Sequence, residues 1–111
     1  MIRGTTPTFT LKLKNKDGTP SEINLNEANN IYFTISQGQK PIVKSGEDIE
    51  IENGNTVLVF LTQKESLSLK EKQKTEIQLN WTYNDADGRT RRAATKVREI
   101  ELDKQLYKEE I

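Results

Sequence analysis

The most regular stretch of the chain runs from Glu76 to Tyr83, where Ile77, Leu79, Trp81 and Tyr83 alternate with Glu76, Gln78, Asn80 and Thr82. A period of two is the signature of a strand with one face on a core and the other in water, because successive side chains of extended backbone point to opposite sides. The same period recurs along the sequence. Phe9, Leu11 and Leu13 alternate with Thr8, Thr10, Lys12 and Lys14, and Ile31, Phe33 and Ile35 with Tyr32, Thr34 and Ser36. Ile49 and Ile51 alternate with Asp48, Glu50 and Glu52, which makes one face apolar and the other acidic. Pro41, Ile42 and Val43 read as a short edge strand, since proline cannot donate to a ladder. Pro20 keeps the stretch after it irregular, with only a weak Ile23/Leu25 alternation. Thr56 to Leu61 is apolar on both parities, which fits a central strand covered on both sides.

Between these segments stand Asn15-Lys16-Asp17-Gly18, Gln37-Gly38-Gln39, Asn53-Gly54-Asn55 and Asn84-Asp85-Ala86-Asp87-Gly88. Asn, Asp and Gly tolerate the positive φ of tight turns, so each reads as a turn. Thr62-Gln63-Lys64-Glu65 fits a capping box, with Leu67 and Leu69 following so soon that any helix is one or two turns long, a crossover between two sheets. After the charged loop Lys70–Lys74, the last strand returns from Arg89 to about Leu102. Its Val97 and Ile100 differ in parity, so a bulge or bend near Arg98 must switch the face. The expected fold is all-β: an antiparallel immunoglobulin-like β-sandwich of about 7–8 short strands, with one short helical turn near residues 62–67. A small open barrel is the alternative. Residues 1–107 are expected to form a single domain, with Leu106 and Tyr107 packing back and 108–111 as a frayed C-terminal tail.

Composition separates this chain from a disordered one. Its hydrophobic content is only 32% and its mean hydropathy −0.80, but 17 basic residues balance 17 acidic ones. Disorder is favoured by low hydrophobicity joined to high net charge. Leu, Ile, Val and Phe number 27 of 111, above the roughly one-fifth associated with disordered chains. The core should be thin but real. No apolar run approaches the roughly 20 residues of a membrane span, and the N-terminus lacks the apolar stretch of a secretion signal.

Histidine and cysteine are both absent. Disulfides, Cys/His zinc sites, Ser–His–Asp triads and imidazole acid–base chemistry are therefore excluded within this chain. The acidic hairpin at 84–88 resembles part of a calcium loop, but Tyr83 stands where the first ligand belongs and Ala94 where the twelfth does. The carboxylates lie on turns and solvent faces, not in the paired geometry of a glycosidase cleft. The expectation is no enzyme, no cofactor and no metal.

What remains is charge and aromatic surface. Arg89, Arg91, Arg92, Lys96 and Arg98 place five cations in ten residues, and Glu47, Asp48, Glu50 and Glu52 form a run of opposite sign. Alternation puts Arg89 and Arg91 on one face, and Arg92, Lys96 and Arg98 on the other. Three readings stand: charges solvated, deterring edge aggregation or paired within the chain, a contact between subunits, or phosphate binding with Trp81 and Tyr83 stacking on bases. Zero net charge weighs against nucleic acid. Trp81, Tyr83 and Tyr32 could instead offer a sugar-stacking surface, although Trp81 shares parity with Ile77 and Leu79 and so belongs to the core side.

The opening Met1-Ile2-Arg3-Gly4-Thr5-Thr6-Pro7-Thr8-Phe9-Thr10 resembles that of small tail-module proteins of phages and prophages of Gram-positive bacteria. The resemblance extends to Leu61-Thr62-Gln63-Lys64-Glu65-Ser66-Leu67 and to Glu76-Ile77-Gln78-Leu79-Asn80-Trp81-Thr82 with its polar hairpin and basic return strand; residues 15–30 and the tail after Leu102 lie outside it. Such proteins are similar to the immunoglobulin-like N-terminal domains of upper baseplate proteins. The resemblance implies a non-enzymatic structural or docking module of a tail, baseplate-associated, with no catalytic residues to carry over. Its partners would be other tail or baseplate proteins or a second copy of itself. Its place would be the cytoplasm of the host bacterium, or the virion tail after assembly. The alternative function is a carbohydrate-binding module for a bacterial cell-surface glycan.

Overall fold

The computed structural model describes residues 1–2, 4–14, 17–19, 23–38, 40–70 and 72–101. Leu102, Leu106, Tyr107 and the tail 108–111 lie outside them, as do Asn15, Lys16 and Gln39 of the expected turns. Eight strands are present among the described residues: β1 (Thr8–Lys12), β2 (Asn30–Ser36), β3 (Ile42–Ser45), β4 (Ile49–Glu52), β5 (Thr56–Phe60), β6 (Thr75–Asn84), β7 (Thr90–Ala94) and β8 (Arg98–Ile100). One α-helix, α1 (Gln63–Ser68), joins β5 to β6. The strands form two antiparallel sheets, a smaller one in the order β1-β5-β4 and a larger one in the order β3-β2-β6-β7, with β8 also on β6. This is the B-E-D over C′-C-F-G arrangement of an immunoglobulin-like sandwich. The barrel alternative falls away, because the two sheets share no strand pairing.

Alternation explains which residues fill the interior. Phe33 and Ile35 of β2, Ile77, Leu79 and Trp81 of β6, Leu11 of β1, and Val57 and Val59 of β5 are all buried, with Phe33, Val57, Val59 and Leu79 fully so. Phe9 and Phe33 meet across the sheets with ring centroids 5.4 Å apart. In register, Ile35 lies opposite Ile77, Phe33 opposite Leu79 and Ile31 opposite Trp81, so the apolar pairs stack in rows on one face. The β4–β5 hairpin closes through the three-residue loop Asn53-Gly54-Asn55, in which Asn53 (φ +53°) and Gly54 (φ +72°) take the positive φ these residue types tolerate.

The capping box forms as expected. The Thr62 hydroxyl accepts from the Glu65 N–H at 3.1 Å, and the Thr62 N–H donates to the Glu65 carboxylate at 2.9 Å. The same carboxylate accepts a hydrogen bond from Lys44 Nζ of β3 at 2.7 Å, which ties the crossover helix to the larger sheet. Lys44 shares parity with Ile42 and turns inward, only 6% exposed. Burial pulls the Glu65 carboxyl upward, but the Lys44 hydrogen bond, the Thr62 N–H and the Lys44 charge outweigh it, and Glu65 sits below its ordinary value.

The weak Ile23/Leu25 alternation lies in irregular chain, as expected after Pro20: Leu25 opens a 3₁₀ turn, Leu25–Glu27, and is buried, while Ile23 is exposed. Three expectations need correction. β5 is central in its sheet but covered on one side only, leaving Leu58 half-buried and Phe60 44% exposed on the outer face. Two half-strands replace the single return strand. Asn80 pairs with Ala94 but Thr75 with Ile100, so the return strand carries one extra residue between its halves. Thr95 pins that bulge, its N–H donating to the Leu79 carbonyl and its hydroxyl accepting from the Leu79 N–H. The face therefore switches at 95–97, just before Arg98, and Val97 is left exposed instead of buried. Finally, Tyr83 points inward by parity but lies past the end of the core and is 39% exposed.

Candidate interaction surface

The two charge runs occupy two sheet edges. Glu47 and Asp48 sit in the 3₁₀ turn Gly46–Asp48 between β3 and β4, and Glu50 and Glu52 project from the outer face of β4, the edge of the smaller sheet. All four are exposed, and among the described residues none has an ion-pair partner. Extended backbone fixes this outcome: with Ile49 and Ile51 drawn toward the core, the residues between them must face water.

The cations sit on β7, β8 and the segments beside them, at the edge of the larger sheet. Arg91 Nε donates to Asp85 Oδ2 at 2.9 Å. Arg92 lies across the outer face, its Nε and Nη2 donating to Asn80 Oδ1 at 3.2 and 3.1 Å. Arg89, Lys96 and Arg98 are exposed, without an ion-pair partner among the described residues. The extra residue between β7 and β8 corrects the expected split of the run. Arg98 lies opposite Ile77 and Arg91 opposite Tyr83, so those two share the inner face while Arg92 stands on the outer one. Pairing of this run with the acidic stretch is not what the fold provides.

Asp85 organises the hairpin tip. Its Oδ1 accepts from the Asp87 and Arg89 N–H groups at 3.0 and 2.9 Å, and Arg91 holds its Oδ2. The bond from Arg91, then those from the backbone, hold its carboxyl below the ordinary aspartate value. Those oxygens are engaged in shaping a turn. Among the described residues no group of three or more acids is placed to hold a metal ion.

Trp81 and Tyr83 line one cleft of about 340 Å³ together with Ile23, Asn24 and Ala93, and Tyr32 lies outside it. Trp81 is 5% exposed and faces the core, whereas Tyr32 points outward from the opposite face of the same sheet. Around Tyr32 the larger sheet presents hydroxyls and amides: a cleft of about 360 Å³ lies beside Asn26, Asn29, Asn30 and Ser45. A second of about 260 Å³ is lined by Thr34, Asn80, Thr82 and Arg92. Sequence reasoning placed Tyr32 on the surface but missed these amides, which come from residues 26–29, from β2 and from β6, far apart in the chain. It also missed Lys44, although the Ile42/Lys44 parity was a usable signal.

Comparison with known protein families, with curated proteins and with solved structures returned no match. Fold and surface define the class of molecule: an all-β antiparallel sandwich, two of whose sheet edges, β4 and β7–β8, carry opposite charge.

Proposed function

We propose that this domain is a non-enzymatic structural and docking module of a phage or prophage tail, associated with the baseplate and acting through protein–protein contacts. The observation that carries this reading is that two of the sheet edges carry opposite charge, β4 and the turn before it with Glu47, Asp48, Glu50 and Glu52, and β7–β8 with Arg89, Arg91, Arg92, Lys96 and Arg98. Such edges bind through backbone hydrogen bonds, with charge selecting the partner. The resemblance of the opening segment, of Leu61–Leu67 and of Glu76–Thr82 to tail-module proteins supplies the setting. The module would meet its partners in the host cytoplasm during assembly and remain in the virion tail afterwards. Co-expression with the other proteins of its tail module tests this. The expected result is co-purification at a fixed ratio, lost when Arg91 and Arg92 are reversed to Glu. A chain that binds no tail protein would overturn the reading.

A second reading, recognition of a neutral cell-surface glycan, is favoured by one observation: Tyr32 is 42% exposed beside two clefts whose linings join amides and hydroxyls to apolar side chains such as Ile31, Ile49 and Val43. An aromatic ring flanked by such groups suits sugar faces and hydroxyls. Titration with cell-wall polysaccharide fragments should shift the Tyr32 resonances, and Tyr32→Ala should abolish binding. No shift with any wall fragment would remove this reading.

A further inference from the structure

An edge strand presents unpaired N–H and C=O groups, and what surrounds it decides whether another strand adds there. Here the charge runs and the edges coincide. They also lie on opposite flanks. β4 follows β3 through a three-residue turn, on the flank where the larger sheet ends at β3, whereas β7 and β8 close that sheet at its other end, beyond β6. We propose that the domain self-associates head to tail, the β4 edge of one copy pairing with the β7–β8 edge of the next. This rests on the docking reading above and names a second copy of the chain as a partner.

The argument comes from the signs of the charges. If β4 met β4, Glu50 and Glu52 would face their own copies, with Glu47 and Asp48 adding to the repulsion. If β7 met β7, Arg91 and Arg92 would do the same. Like charges opposite one another in a ladder oppose pairing, and unlike charges favour it. Of the pairings between these two edges, both two-fold symmetric ones are therefore disfavoured, and the heterologous one sets acids against cations. The receiving arginines are also held in place. Asp85 fixes Arg91 and Asn80 fixes Arg92, so less side-chain freedom is lost on docking. Arg91 and Arg92 lie on opposite faces of β7, so Glu50 and Glu52, which share one face of β4, meet one of them within the ladder while the other borders it; each guanidinium has five N–H donors, and its present contacts leave donors for an incoming carboxylate.

β4 is only four residues long, so it offers few backbone hydrogen bonds, and charge supplies much of the selection. The contact should be weak, reversible and sensitive to salt. A heterologous contact leaves one edge of each kind free at the ends, so the assembly grows into a ring or a filament rather than stopping at two.

Sedimentation of the purified full chain over a range of concentrations tests this. At low salt the mean mass should rise with concentration past that of a dimer. In about 1 M salt, where the screening length falls to roughly 3 Å, association should weaken by about tenfold or more. Glu50→Arg with Glu52→Arg should give a monomer, as should Arg91→Glu with Arg92→Glu. An equimolar mixture of the two variants should associate again, because each restores the sign the other lost. Circular dichroism checks that each variant folds, and Glu47→Lys with Asp48→Lys, in a turn outside the strands, serves if a strand variant does not. A wild-type chain that stays monomeric at high concentration and low salt would overturn the proposal. So would association that the reversals leave unchanged. Either result leaves the docking reading to its own test, binding of other tail proteins.

Discussion

Lys44 lies on the core side of an edge strand, 6% exposed, with Glu65 2.7 Å from its ammonium group. A buried charge without a partner is costly, whereas an apolar group of similar length in its place is often neutral. The pair therefore responds asymmetrically to mutation. Glu65→Ala leaves Lys44 buried alone and removes half of the capping box, and should destabilise the domain by about 2–4 kcal/mol. Lys44→Met fills the same space and leaves Glu65 with the Thr62 N–H and partial access to water, so the change should stay within about 1 kcal/mol. Urea unfolding of both variants decides it, and equal losses would show that the ion pair is not what matters. The pH dependence has a definite sign. Glu65 sits below its ordinary value of 4.5 when folded, so its contribution is fully present above that value and is lost as pH falls through the folded one. The stability gap between wild type and Glu65→Gln should narrow as pH falls below 4.5.

At the scale of elements, β5 sets an apolar residue on each face but is covered on one. Phe33, fully buried in β2, should cost about 3–5 kcal/mol when replaced by Ala. Phe60, 44% exposed on the outer face opposite Thr8, should tolerate Thr within about 1 kcal/mol. Urea midpoints measure both, and a large loss at Phe60 would mean that its face is covered. Hairpin turns obey the same reasoning at backbone level. A methyl group on Gly54 would come 2.8 Å from Asn24 Oδ1, with φ at +72°, whereas Gly88 has open space at φ +78°. Gly54→Ala should therefore destabilise more than Gly88→Ala, which should cost about 1 kcal/mol. These elements show what the sequence could convey. The Ile77–Trp81 alternation, Asn53-Gly54 and Thr62–Glu65 were readable because each acts over a few residues. The inward turn of Lys44, the position of Arg98 and the bare outer face of β5 were not, because they depend on which strand lies alongside. Alternation names a face; it does not name the neighbour. For the same reason both charge runs were legible, but their placement on opposite edges was visible only once the strand order was known.

At the scale of the molecule, an equal count of acids and bases hides two flanks of opposite sign. Such a molecule is nearly neutral at a distance and strongly polar at its edges, which suits specific contact better than general adhesion. It is also built on a modest apolar fraction, 32% of residues, so contacts with neighbours would contribute visibly to its stability. If copies dock edge to edge, folding and association are linked, because only the folded chain has edges to offer. The melting temperature at low salt should then rise with protein concentration. At ten times the dissociation constant the gain is about 1.4 kcal/mol, which raises the midpoint of a domain this size by roughly 5 °C. The rise should vanish in high salt and in the Arg91→Glu/Arg92→Glu variant, whose midpoint should not depend on concentration. Calorimetry over a hundredfold range of concentration measures both. A rise that persists in that variant would place the stabilising contact on another surface, and the exposed Phe60 face would be the next to test.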